Sequence, residues 1–102
     1  MKYTRYEGSF EGHDRTRLFY QAWTHAHPRA RVLLTHGQAE HSDCYHRLIN
    51  FFESHNIDFF SYDLRGHGRS EGLRGYASEF RDYVKDAQIF YDLIQKKRGS
   101  KV

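Results

Sequence analysis

The chain of 102 residues has one cysteine, one proline and no long uninterrupted apolar run. Without a second cysteine, Cys44 cannot form an internal disulfide, which fits a reducing compartment such as the cytoplasm. A membrane-spanning helix needs about 18 or more consecutive apolar residues, and the N-terminal MKYTRYEGSF lacks the apolar segment of a secretory signal. We therefore predict a cytoplasmic protein without a transmembrane segment, free or peripheral to a membrane.

A strong excess of charge of one sign is also missing, since the formal net charge is only +3. The basic side chains are scattered, apart from Lys96-Lys97-Arg98 near the end, so the sequence does not indicate a nucleic-acid surface. Aromatic residues make up 17% of the chain, and their rings can bury much apolar area in a short sequence. The length and composition predict a single globular domain with a ring-rich core.

The order of apolar runs and turn signals predicts the elements β-β-β-α-β-α. Residues 5–10 and 16–24 flank a glycine-containing turn at 12–14, which is typical of a β-hairpin. Compact apolar runs at 31–35 and 57–63 predict two further strands, the first buried on both faces, and each is followed by a helix. Strand alternating with helix favours an α/β fold with a parallel sheet after an antiparallel start.

Both predicted helices show an apolar face with helical spacing. The first has Ser42 as a candidate N-cap and Asn56 as a left-handed terminator. Its predicted face consists of Tyr45, Leu48, Ile49 and Phe52. The second has Ser78 as a candidate N-cap. Its predicted buried stripe consists of Phe80, Tyr83, Val84, Ala87, Tyr91 and Ile94.

The letters GRSEG at 68–72 match the G-x-S-x-G signature of a hydrolase nucleophile. A nucleophilic serine of this kind lies on a tight turn directly between a strand and a helix. Here the strand is predicted to end near Asp63 and the helix to begin near Ser78, and Glu71 would bring negative charge to the place where an oxyanion forms. We therefore interpret Ser70 as a surface serine in a glycine-rich turn rather than as a nucleophile.

Eight histidines raise the question of a metal site. His36, His41 and His46 recur every five residues, a step that does not keep two ligands on one helix face. Neither a cysteine nor an acidic residue completes a recognisable ligand set. The sequence predicts no metal and no cofactor.

Two blocks of sequence carry a family resemblance. The block HGQAEHS at 36–42, followed by Tyr45, and the block DLRGHGRSEG at 63–72 each follow a predicted strand. They resemble the HGxxEHSxRY and D-x-RGHGxSxG blocks of the α/β-hydrolase branch that contains monoacylglycerol lipases and lysophospholipases, the branch of the S33 serine aminopeptidases. The resemblance extends over essentially the whole chain. It implies a partial α/β-hydrolase fold with an incomplete sheet.

The resemblance also implies roles for the loop after the third strand. In such enzymes this loop forms half of an oxyanion hole, and the donor would be the backbone N–H of Gln38. The substrate-binding positions would be Gly37, Ala39, Glu40 and His41. The implied substrate is a lipid-like ester with one acyl chain. Cys44 stands where the block has an arginine associated with the polar head of the substrate, and a thiol cannot replace the paired donors of a guanidinium. Monoglyceride selectivity is therefore left open.

The family's nucleophile, acid and histidine would follow the present sequence, because the chain ends where a fifth strand would begin. The resemblance therefore implies that residues 1–102 are the N-terminal segment of a single hydrolase domain, inactive alone. The strand that should receive the next one would expose its backbone donors and acceptors. The alternative is thus a non-catalytic protein that associates through this open edge, with a C-terminal remainder or with a second copy.

Overall fold

The computed structural model describes residues 3–36, 45–73 and 80–96. Its strands and helices follow the predicted order. They are β1 (Thr4–Glu11), β2 (Arg17–Thr24), β3 (Ala30–Thr35), α1 (His46–Phe51), β4 (Ile57–Tyr62) and α2 (Phe80–Gln95). Two short 3-10 turns, His13–Arg15 and Glu53–His55, precede β2 and β4. The predicted β-hairpin is confirmed.

The four strands form one mixed sheet in the order β1-β2-β4-β3. β1 pairs with β2 and β2 with β4 in antiparallel fashion, whereas β3 and β4 are parallel, with Val32 opposite Phe59 and Thr35 opposite Tyr62. The parallel pair places the carboxyl ends of β3 and β4 side by side. The predicted antiparallel start and parallel continuation are both confirmed.

The sheet has a separate apolar cluster on each face, because neighbouring strand residues point in opposite directions. Phe60 and Tyr62 pack with Phe90 and Ile94 of α2 in the larger cluster. Phe59, on the opposite face, packs with Trp23 and Ile49 of α1 in the smaller one. Each helix therefore covers a different face of the sheet.

Asn56 ends the segment before β4 in the predicted left-handed conformation, with φ of 57°. An asparagine tolerates this conformation better than most residues do. The face predicted for α1 is confirmed for Ile49, which is fully buried, and for Tyr45 and Phe52, which pack around it. It is wrong for Leu48, which is exposed. The candidate caps Ser42 and Ser78 lie outside the described residues.

The buried stripe predicted for α2 is confirmed for Ile94, which is buried, and for Tyr83 and Ala87, which pack against the larger cluster, but it is wrong for Phe80, Val84 and Tyr91. Phe80 is 79% exposed and Val84 54% exposed, whereas Asp82, Asp86, Phe90 and Ile94 are the buried residues of this helix. Asp86 can be buried because the guanidinium of Arg65 pairs with it in the interior. The periodicity of apolar residues alone therefore added the exposed Phe80 and Val84 to the buried face and did not select Asp86.

The strand β3 was predicted to be buried on both faces, and this prediction is wrong. Arg31 is its only buried residue, and the other residues are partly buried or exposed. The reason is its position at one edge of the described four-stranded sheet, beside β4 alone. Arg31 itself donates from Nη1 to the carbonyl of Ile94 at 2.6 Å, so it satisfies a terminal carbonyl of α2.

Candidate functional site

The two sequence blocks converge at the carboxyl ends of the parallel strands. His36 follows β3 directly, and the turn 63–73 follows β4. Since β3 and β4 are adjacent and parallel, the two segments begin next to each other. In open α/β sheets ligand sites form at this end of the strands. The candidate site is therefore the region around His36 and the turn 63–73.

Glycines allow the turn 63–73 to fold back on itself. Gly66, Gly68 and Gly72 have φ of 73°, 49° and 115°, values that favour glycine. At Gly72 an added Cβ would also lie 2.9 Å from the backbone nitrogen of Gly66. Gly66 N–H donates to the Glu71 carbonyl at 2.8 Å and closes the turn. The block is thus a compact loop and does not form a strand-to-helix elbow.

Ser70 lies inside this loop and is only 8% exposed, so the prediction of a surface serine is wrong. Its Oγ accepts the Phe19 N–H at 2.9 Å and donates to the carbonyl oxygen of Asp63. Both partners are backbone groups, and neither is an imidazole that could take the hydroxyl proton. The Ser70 side chain therefore links the turn to β2, and these two hydrogen bonds explain why it is buried.

A second set of bonds holds the same turn against the start of β2. Glu71 accepts the Arg17 N–H at 3.0 Å through Oε1, and its own N–H donates to the Arg17 carbonyl at 2.9 Å. Asp63 accepts the Arg69 N–H at 2.9 Å. The carboxylates of this block therefore satisfy backbone donors and help to fix the shape of the turn.

His36 and His67 lie side by side in the interior, with ring centroids 5.3 Å apart. His36 is 3% exposed and His67 is 4% exposed. Nε2 of His36 accepts the Leu64 N–H at 2.8 Å, while Nδ1 of His67 lies 3.0 Å from the Arg65 carbonyl and donates to it. Among residues 3–36, 45–73 and 80–96, Nε2 of His67 has no hydrogen-bond partner. The hydrogen bond from Leu64 to His36 therefore joins the end of β3 to the turn after β4, and the ring of His67 packs beside it.

Arg65 anchors this turn to the rest of the molecule. Its Nε donates to Asp86 Oδ2 at 2.7 Å, and its Nη2 donates to Asp86 Oδ1 at 2.9 Å and to the His13 carbonyl at 3.0 Å. Asp86 Oδ1 also accepts the His13 N–H at 2.8 Å. The hydrogen bonds that Arg65 donates to Asp86 raise the pKa of Arg65 further above its ordinary value, so the guanidinium stays charged.

A cavity of about 410 Å³ opens beside His36. Its lining combines the ends of β3 and β4 with the first two turns of α2. The lining residues are Thr35, His36, Tyr62, Leu64, Phe80, Tyr83, Val84 and Ala87. Most of these side chains are apolar, which suits an apolar occupant.

The residues predicted for the site, Gly37, Gln38, Ala39, Glu40 and His41, lie outside the described residues, and so does Cys44. The structure describes the segments on either side of them, His36 and Tyr45. Tyr45 donates from its hydroxyl to the Thr35 carbonyl at 3.0 Å. Sequence reasoning did not select His36, His67 or Arg65 as individual functional residues, although all three belong to the recognised blocks.

Within residues 3–36, 45–73 and 80–96, no three histidine, cysteine or acidic side chains are grouped so that they could hold a metal ion. Over the same part of the chain, none of the helices combines the length and apolar character that a membrane crossing requires.

Comparison with known proteins agrees with the architecture. The family described as "Serine aminopeptidase, S33" matches residues 26–102. The chain is 39% identical over 84 residues to the monoacylglycerol lipase of Mycolicibacterium smegmatis, covering 81% of this chain and 30% of that protein. It is 35% identical over 80 residues to the monoglyceride lipase of Mus musculus, covering 78% and 26%. The chain thus spans less than a third of the length of either relative.

A solved structure shows the same fold. The carboxyl esterase of Bacillus coagulans in complex with glycerol superposes with a TM-score of 0.78 at 23% identity, over 91% of this chain and 32% of that one. The fold is therefore part of an α/β-hydrolase fold, and the predicted fold class is confirmed. The chain belongs to the S33 serine aminopeptidase family of α/β hydrolases.

Proposed function

We propose that residues 1–102 form the N-terminal segment of a single serine-hydrolase domain that cleaves lipid esters with one acyl chain. The observation that carries the proposal is the position of His36. It is buried at the carboxyl end of β3, against the turn after β4, and the chain continues from it into Gly37 and Gln38. The relatives named as monoacylglycerol and monoglyceride lipases support an ester of this class.

In the proposed mechanism the chain contributes charge stabilisation. A serine supplied from outside residues 1–102 attacks the ester carbonyl, and the carbonyl oxygen becomes an oxyanion. The backbone N–H of Gln38 donates a hydrogen bond to that oxyanion, an interaction worth about 2.7–4 kcal/mol in comparable enzymes. A histidine, also outside the segment, takes the serine proton and delivers it to the leaving alcohol, while an acid orients that histidine without itself being protonated. Water then hydrolyses the acyl-enzyme and releases the fatty acid. The proposed reaction needs no cofactor.

For the substrate we propose that Gly37, Ala39, Glu40 and His41 line the binding side of the loop. The apolar cavity beside His36 supports an apolar ligand at this end of the sheet. Cys44 cannot supply the two parallel donors of an arginine at the same place. We therefore propose that the head group is held by Glu40 and His41 without an additional cation from position 44.

The proposal is tested in a hybrid enzyme in which residues 1–102 replace the matching N-terminal part of the M. smegmatis lipase. The expected result is hydrolysis of a monoacylglycerol. Gln38→Pro removes the backbone donor and should lower kcat about 100-fold to 1000-fold. Gln38→Ala is the matched control, because it keeps the N–H, and it should leave kcat nearly unchanged.

Two results would contradict the proposal. A correctly folded hybrid without ester hydrolysis would show that residues 1–102 cannot serve as this part of a hydrolase. Equal activity of the proline and alanine variants would show that the N–H of Gln38 is not an oxyanion donor.

A second candidate function rests on β3, which pairs with β4 alone among the described strands. Its outer edge can add a further strand, from a C-terminal remainder or from a second copy of the chain. Light scattering after size-exclusion chromatography tests self-association, which predicts a mass of two chains or more. A monomer over the micromolar range would exclude the second copy as the occupant.

We also propose that the protein works in the cytoplasm, where a single unpaired cysteine stays reduced. Fractionation of cells that express the natural protein tests this location. Recovery from an exported fraction would contradict it.

A further inference from the structure

We infer that His36 is a positioning residue for the loop that follows it. As a neutral imidazole that accepts the Leu64 N–H, it fixes the start of the loop against the turn after β4. The role in catalysis rests on the proposed function, whereas the hydrogen bond itself does not. His36 is not among the residues proposed above to contact substrate.

The protonation state follows from the geometry. Nε2 of His36 lies 2.8 Å from the Leu64 nitrogen, and a backbone N–H can only donate. Nε2 must therefore carry a free lone pair, which makes the ring neutral with its proton on Nδ1. A ring protonated on both nitrogens could not accept this bond, and Leu64 N–H would be left unpaired in the interior.

The partner of His36 is itself held firmly. Leu64 is joined to Arg65, which is fixed by Asp86 of α2 and by the backbone of His13 in the β1–β2 turn. Leu64 N–H is therefore a fixed donor, placed by two elements that are distant in sequence. A loop that begins at His36 takes its starting position from this donor.

The contact between the two histidine rings has a different role. The ring of His67 packs beside that of His36, and its Nδ1 donates to the carbonyl of Arg65 within the same turn. A phenylalanine at 67 would keep the ring packing and lose one bond local to the turn. It is therefore a matched control for a loss of the hydrogen bond made by His36.

The direct test is nuclear magnetic resonance on the full 102-residue chain labelled with nitrogen-15. We expect a scalar coupling across the hydrogen bond between the Leu64 amide nitrogen and Nε2 of His36, with the proton on Nδ1. His36→Phe should speed hydrogen exchange of the Leu64, Gly37 and Gln38 amides by about tenfold. His36→Gln, whose side-chain oxygen can reach the same donor, should restore most of the protection, and His67→Phe should leave it nearly unchanged.

Absence of the coupling, or a proton on Nε2, would overturn the inference. Unchanged exchange of Gly37 and Gln38 in His36→Phe would also overturn it. If His36→Phe does not fold, the inference is tested by the scalar coupling in the unmodified chain and by the protection of the Leu64, Gly37 and Gln38 amides from exchange in His36→Gln.

The hybrid enzyme supplies the catalytic readout. His36→Phe should lower kcat about tenfold with little change in KM, and His36→Gln should recover most of the loss. A kcat that His36→Phe leaves unchanged, in an active hybrid, overturns the positioning role and leaves the proposed function intact. An inactive unmodified hybrid counts against the proposed function, while the resonance measurements still decide whether His36 holds the loop.

Discussion

Arg65 and Asp86 form a bidentate ion pair in the interior, with Nε–Oδ2 and Nη2–Oδ1 distances of 2.7 and 2.9 Å. Asp86 is completely buried on α2, and Arg65 lies in the turn after β4. The pair joins the second recognised block to the helix that covers one face of the sheet. The positive charge of Arg65 also explains why α2 can bury the side chain of an aspartate.

Removal of one charge of the pair should be costly. Asp86→Asn leaves the Arg65 guanidinium buried with a weaker acceptor, and a broken buried pair typically costs about 3–5 kcal/mol. We expect the free energy of unfolding in urea to fall by this amount. Asp92→Asn is the control, because Asp92 is exposed on the same helix, and it should change stability by less than about 0.5 kcal/mol. Equal effects of the two substitutions would show that the pair does not stabilise the fold.

Gly12 lies against the same pair. A Cβ at this position would meet Asp86 Oδ1 and Leu18 Cδ1, each at 2.6 Å. Since Asp86 is fixed by three hydrogen bonds, Gly12→Ala should destabilise the protein by about 1–3 kcal/mol. Gly8→Ala is the comparison variant, because the atoms nearest to its added Cβ belong to the outer end of the Tyr20 ring, at 2.8 to 3.1 Å, and do not include the ion pair. Thermal unfolding followed by circular dichroism should show the larger loss for Gly12→Ala, and the reverse order would be inconsistent with a rigid Asp86.

Ser70→Ala should destabilise the turn without removing a catalytic group. The substitution leaves the Phe19 N–H without its acceptor, at a cost of about 1–3 kcal/mol. Urea titration measures this loss, and Ser54→Ala, at an exposed position, is the control. A Ser70→Ala variant as stable as the unmodified chain would show that the hydroxyl does not bind the turn to β2.

Tyr62 predicts a dependence of stability on alkaline pH. Its hydroxyl is buried and has no hydrogen-bond partner in the part of the chain that the structure describes. Burial, followed by the charge of Asp86, raises the pKa of Tyr62. In the unfolded chain the phenol ionises at about pH 10, whereas in the fold it stays neutral. The unfolded state alone therefore loses this proton above pH 10, so stability falls as pH rises through that range.

Tyr62→Phe tests this dependence. It removes an unpaired hydroxyl, so we expect equal or greater stability at pH 7, and a weaker decline than in the unmodified chain above about pH 10. Tyr6→Phe is the control, because Tyr6 is 53% exposed. Identical pH profiles for the unmodified chain and Tyr62→Phe would contradict the predicted shift.

Local signals predicted the strands well. The β-hairpin and the left-handed Asn56 depend on residues close in sequence, and the parallel pair follows from the alternation of strands and helices along the chain; all three were confirmed. The buried face of α2 was predicted only in part in this way, because the burial of Asp86 does not follow from local signals. It is decided by Arg65 and by the backbone of His13, which lie 21 and 73 residues away from Asp86. Apolar periodicity contains no information about such partners.

The candidate site was predicted only in outline. The two blocks pointed to the ends of β3 and β4, and the parallel pairing places them together. The burial of Ser70 was missed because its partners are backbone groups of Phe19 and Asp63, which a search for side-chain motifs does not consider. The role of His36 was missed for a similar reason, since its partner is the amide of Leu64.

Labelling with a fluorophosphonate probe tests the central claim most directly, when it is followed by peptide mapping of the hybrid enzyme and of the 102-residue chain. The account predicts one labelled serine in the hybrid, located in the part contributed by the M. smegmatis lipase, and no label on the chain alone. A probe attached to Ser70 in either protein would contradict it, because the nucleophile would then lie in the turn after β4.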